Sequence, residues 1–221
     1  MKKSPRFAFL LSPLVLSACI SLPFSGGKEQ PAPALYTLHD SSSGTMEVAT
    51  AASGSIVVVV PPPELPPGFN SERIAIQFEQ DGRLDYYADA QWSASLDELI
   101  QDVFIERAQR QLSQAIVGKP DLVPAANYRM VVKITDFGPV YRTSSDMPPR
   151  LDVGLILTVI ALPEGSVKAQ LTVKKSTDAS ENRLGPVTNE LKNLLHSVLD
   201  EAVQKAAPYI TEPQNIARSA D

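Results

Sequence analysis

Cys19 is the one thiol in a chain of 221 residues, and Leu16, Ser17 and Ala18 before it complete the pattern L-S-A-C. A thiolate is a nucleophile. Placed directly after small residues at the end of a short apolar run, it is the acceptor that bacterial lipoprotein processing uses. The run reads as a secretory signal: Lys2, Lys3 and Arg6 make a positive start, and residues 7–16 are apolar apart from Ser12 and Pro13. That stretch is too short to span a bilayer as a helix. The expected outcome is cleavage before Cys19, a diacylglyceryl group on its sulfur, and a mature domain held to a membrane by acyl chains. A cleaved signal with a chance cysteine, or a buried core thiol, are the plainer alternatives.

The remaining residue types offer little catalytic chemistry. There is no G-x-S-x-G, no H-E-x-x-H and no glycine-rich phosphate loop, and the single cysteine excludes a disulfide or thiolate zinc site. The two histidines, His39 in L-H-D and His196 in a helical stretch, read as surface or boundary residues rather than members of a Ser-His-Asp relay. The acidic pairs Asp97/Glu98 and Asp200/Glu201 fit solvated helix positions, the first at a helix N-terminus that favours negative charge. No catalytic, cofactor or metal residue is assigned. Trp92, with Tyr86 and Tyr87, forms an aromatic group ahead of a helix. Core packing is its favoured reading, and contact with a ligand or a protein partner is the other.

Composition agrees with a docking or binding role. The formal charge is −5, and loss of the three positive signal residues takes it to −8. Such a domain has no electrostatic reason to bind nucleic acid. Stability must come from packing alone.

These residues have to be positioned by a chain that reads as one α+β domain. Residues 1–18 are the signal, and 19–33 are the lipidated N-terminus and a Pro/Gly/Ser-rich tether. The folded domain covers 34–210, and 211–221 form a loose polar tail. Strands are expected at ALYTLHD, at the β-branched run IVVVV (56–60), and on either side of Asp81-Gly82, the clearest hairpin. Ser95 and Glu98 spell a capping box for a helix whose apolar stripe is Leu96, Leu99, Ile100, Val103, Phe104 and Ala108, extended by Leu112 and stopped at Gly118-Lys119-Pro120. Alternation from Tyr128 to Thr135, the apolar run LDVGLILTVIALP and its neighbour KAQLTVKKSTD give three more strands. A second helix follows Gly185-Pro186, with Val187, Leu191, Leu194, Leu195, Val198, Ala202 and Val203 on one face, and ends at Pro208. The expectation is a mixed, mostly antiparallel sheet of about six or seven strands with two amphipathic helices on one face.

Several segments in this order resemble the ABC-type transport auxiliary lipoproteins of the paraquat-inducible protein C type. They are the lipobox at Cys19, the ALYTL segment, IVVVVPPPELP, Arg73 opening RIAIQF, the R-L-D-Y-Y…Q-W run ending at Trp92, and the L-D-E-L helix start. NSER at 70–73 departs from the more usual Leu-Asp-Arg-like run at that point. The resemblance implies a lipoprotein that accompanies an MCE-type lipid-transport system in a Gram-negative envelope, docking on a periplasmic MCE protein and through it an ABC permease and ATPase. Ile20, rather than aspartate, follows the cysteine, which favours the periplasmic face of the outer membrane. Trp92, Tyr86 and Arg73 are candidate partner contacts, with homo-oligomerisation open. Two other readings stand beside this one: a lipid carrier with an apolar cavity, and a periplasmic hydrolase.

Overall fold

Alternating apolar residues and two helical stripes are realised as one mixed sheet carrying two helices. A computed structural model describes residues 32–40, 56–123, 125–142 and 146–210. Cys19, the signal, nearly all of the tether and the tail lie outside them. In chain order the elements are β1 (Ala34–Tyr36), β2 (Ile56–Val59), β3 (Arg73–Phe78), β4 (Arg83–Trp92), α1 (Leu96–Gln111), β5 (Ala115–Gly118), β6 (Tyr128–Tyr141), β7 (Arg150–Ala161), β8 (Ser166–Asp178) and α2 (Leu184–Ala206). A 3-10 turn at Ala207–Tyr209 follows.

β6 organises the sheet. One of its edges pairs with β7, which pairs with β8, in two long antiparallel ladders. Its other edge is shared along its length. β2 pairs at Tyr128 and Arg129, Glu64 bridges to Lys133, and β3 pairs at Val140 and Tyr141. β5 extends the sheet beyond β2, and β4 then β1 extend it beyond β3.

The described residues hold eight strands, one more than the upper expectation. Four of the seven pairings are parallel (β1–β4, β2–β5, β2–β6 and β3–β6), so the expectation of a mostly antiparallel sheet is corrected. The antiparallel pairs are the three between strands consecutive in the chain. A parallel partner has to be reached by a crossover, here through α1 for β2 and β5. The unbroken β-branched run in β2 fits that setting, because strands joined this way read as continuous apolar segments.

The unpredicted strand is β5. Its four residues follow α1 so closely that they read as the helix's tail, but the helix stops at Leu112, whose N–H still bonds to Ala108. Ser95 takes the extended N-cap conformation without a side-chain cap bond, so the capping box does not form. Gly185 and Pro186 lie inside the first turn of α2 rather than before it. Proline is tolerated there because the N–H it lacks has no partner in a helix's first turn. At the β3–β4 hairpin, Gly82 takes φ +66°, the conformation such a turn requires.

The whole expected stripe of α1 is buried, as is that of α2 apart from the half-buried Leu194. The core face of β7 (Leu151, Val153, Leu155, Leu157, Val159) is at 0% exposure against Leu191, Leu195, Val198 and Leu199 of α2, also at 0%. Alternation then places Asp152, Ile156 and Ile160 of β7 on the opposite face of the sheet.

Candidate functional site

Trp92, Tyr86 and Arg73 come from neighbouring strands but meet different surroundings. Trp92 is 2% exposed and its ring tilts against Phe137 with centroids 6.2 Å apart. It belongs to the core where hairpin meets helix and has no surface to offer a partner. Arg73 is on the surface, its guanidinium lying over the Tyr86 ring at 3.6 Å. The Tyr86 hydroxyl donates to the Gly68 carbonyl at 2.8 Å, which fixes the ring under the cation. Gly68 has φ +87°, and a Cβ there would stand 2.5 Å from Leu84 Cδ2, so only glycine lets this loop close over the hairpin.

Register extends this platform. Leu35 of β1 is opposite Gln91 of β4, which is opposite Arg73 of β3. Residues directly opposite share a face, so Leu35, Gln91 and Arg73 form a row. Leu35 is 64% exposed, unusual for a leucine in a sheet. Arginine and tyrosine, stacked here, are two of the residue types that dominate protein-binding hot spots.

A second cluster ties the segment after β1 to the helices. Leu38 is fully buried, and its carbonyl accepts a 2.8 Å bond from Nε2 of His196 in α2. The next acid, Asp40, is 3.6 Å from His196 Nδ1, 3.6 Å from Lys192 and 3.9 Å from Arg107. Arg107 of α1 forks onto Asp200 of α2, which also accepts from Gln111 at 2.8 Å. Burial, with Arg107 and Lys192 close by, pushes the His196 imidazole below its ordinary value against the opposing pull of the Leu38 bond and Asp40. The hydrogen bond to Asp200 and its charge hold Arg107 still more firmly protonated.

This cluster borders an open polar cleft of about 720 Å³ that also holds Ser197, Lys175 and Glu201. The cleft brings a histidine, a serine and a carboxylate together, yet they form no relay. His196 directs Nε2 to Leu38, while Ser197 Oγ accepts from Lys175 Nζ at 2.9 Å. Lys175 is itself 2.8 Å from Glu201. Consecutive residues on a helix point about 100° apart, so Ser197 and His196 do not face each other. His39 is 3.6 Å from Glu106.

His196 was expected at a surface or boundary and is buried. Nothing local signals its role, because its partner Leu38 is 158 residues away. Among the described residues no group of three or more His, Cys, Asp or Glu is placed to hold a metal. Nor does any described helix have the length and apolarity to cross a membrane.

The family profile described as ABC-type transport auxiliary lipoprotein component matches residues 36–181. No curated protein matches the chain. Among solved structures, a Xanthomonas campestris protein is similar at a TM-score of 0.61 and 17% identity, covering 70% of this chain and 85% of its own. A protein of uncharacterised function is similar at 0.59 and 11%, covering 81% and 99%. These likenesses concern the fold.

Proposed function

This chain belongs to the ABC-type transport auxiliary lipoprotein components, and on that premise we propose that it is the docking subunit of an MCE-linked lipid-transport system. In this reading Cys19 is lipidated after removal of residues 1–18, and residues 19–33 tether the domain at 34–210 to the periplasmic face of the outer membrane. The domain contacts a periplasmic MCE protein and, through it, an ABC permease and ATPase, without catalysis of its own.

The observation that carries docking over lipid carriage is the filled interior. The space between β7 and α2 is occupied by leucines and valines at 0% exposure, and the cleft beside α2 is lined by charged and polar groups. An acyl chain needs an apolar cavity of several hundred Å³. The stacked Arg73–Tyr86 pair beside Leu35 supports a protein-facing surface.

The test is affinity purification of the lipidated protein from membranes under mild detergent. Co-purification of an MCE protein supports the reading. Recovery of the protein with bound phospholipid and with no MCE or ABC-transporter component refutes it.

A further inference from the structure

Twelve of the fifteen lysines and arginines among the described residues have a carboxylate oxygen within 3.6 Å. Among the described residues, no carboxylate forms an ion pair with Arg73, Arg129 or Lys168. In a chain with more acids than bases, these three cations are set apart by having no described acid beside them.

Arg129 sits in β6 between the core residues Tyr128 and Met130, so it points to the face away from α2. It is opposite Ile160 of β7, which is opposite Val167 of β8. Val167 is 62% exposed. Lys168 is the extra residue of the bulge beside Val167. Arg73 alternates with the core residue Ile74 in the same way, and Gln77 carries its face across to Val140 of β6. The β6 bulge at Thr135 shifts the alternation by one residue, so Val140 and Arg129 share that face. Arg73 and Arg129 thus lie on one side of one sheet, each in a row with one of the few large apolar residues that are strongly exposed, Leu35 and Val167.

We propose that the sheet face opposite the helices is the docking surface, and that its partner is a protein surface presenting carboxylates beside apolar side chains, received by Arg73 and Arg129. This rests on the docking reading above and specifies its chemistry. The guanidinium fork matches a carboxylate in two parallel hydrogen bonds. In an acidic domain, cations with no acid beside them are the sites that attract an acidic partner, so these positions steer the orientation of encounter as well as the contact.

The test uses the full lipidated chain and the purified MCE protein, with affinities measured for wild type, Arg73→Glu, Arg129→Glu and, as a control on the helix side, Lys205→Glu. Each arginine reversal is expected to weaken binding about tenfold or more, and Lys205→Glu to leave it within about twofold. Arg73→Lys is expected to bind and to be coupled to the partner by a zero-length carbodiimide, which joins an amine only to a carboxylate in contact. If wild type does not bind, the functional reading fails and this inference with it. If wild type binds and both reversals bind equally well, or Lys205→Glu is equally harmful, the docking face is wrong while the function stands. Variant-dependent binding to phosphatidylglycerol vesicles, or variant-dependent self-association, overturns the proposal in favour of lipid or a second copy.

Discussion

His196→Phe and His196→Gln, compared with wild type, isolate the bond that pins the chain just after β1. At pH 7.5 the imidazole is neutral, because burial holds its pKa below 6.5, and Nε2 donates to the Leu38 carbonyl at 2.8 Å. Phenylalanine fills similar space but leaves that carbonyl unpaired, at a cost of about 1–3 kcal/mol. In a domain of this size each kcal/mol moves Tm by about 2–4 °C, so His196→Phe is expected to melt about 2–12 °C below wild type. Glutamine keeps an N–H donor and is expected to lose less. The two variants also remove the titration. The folded imidazole binds a proton less readily than the unfolded one, so between pH 6.5 and its lowered value the unfolded state carries more protons and stability rises with pH. Wild type therefore holds the full contribution above pH 6.5 and loses it as pH falls through the folded pKa. Asp40 works against this loss, and Arg107 and Lys192 reinforce it. Thermal melts by circular dichroism from pH 7.5 to 5.0 read the effect as the Tm difference between wild type and His196→Gln, in which His39 and the carboxylates cancel. That difference is expected to move against wild type as pH falls. A constant difference across the range, or a His196→Phe variant that melts with wild type at pH 7.5, would refute the account.

Trp92→Ala is expected to cost about 3–5 kcal/mol, a large share of a typical domain's stability, measured by the midpoint of urea unfolding; a loss below 1 kcal/mol would contradict its core role. Gly68→Ala forces a Cβ into Leu84 at positive φ and is expected to destabilise by about 1–3 kcal/mol, read as a lowered Tm together with weakened partner binding through the displaced Tyr86. Cys19→Ser is expected to leave the precursor uncut or to release the domain from the membrane fraction, and a variant that fractionates and migrates as wild type would end the lipoprotein reading.

Local patterning was legible wherever one element decides its own face. All seven residues of the stripe from Leu96 to Leu112 are buried, and Asp81-Gly82 is the hairpin turn. What escaped was set between distant segments. Parallel pairing of β2 with β5 and β6 depends on where the chain returns after α1, and no residue in IVVVV encodes that. The four residues of β5 are too few to show a period next to a sixteen-residue helix. β6 was legible to Thr135, where a bulge shifts the alternation and hides the remaining six residues. At the candidate site the residue types were visible and their division was not. Trp92 and Arg73 lie on alternate faces of adjacent strands, so one is core and the other surface, and the stack of Arg73 on Tyr86 joins two strands whose register shifts between Arg73 and Ala75. The three cations without acids are equally invisible in composition, since pairing is a property of the folded neighbourhood.

The short strand β1 sets how the domain bears mechanical load. With Cys19 lipidated as proposed, a pull from the anchor enters the described fold at β1, whose parallel ladder with β4 is only three residues long. Beyond that ladder the force meets Leu38, sunk in the core, and the His196 bond behind it. Three paired residues are a weak clamp and a buried leucine with a pinned carbonyl is a strong one, so under tension the chain yields first at β1 and stops at Leu38. That would lengthen the leash by a few residues and uncover the edge of β4, while the domain beyond stays folded.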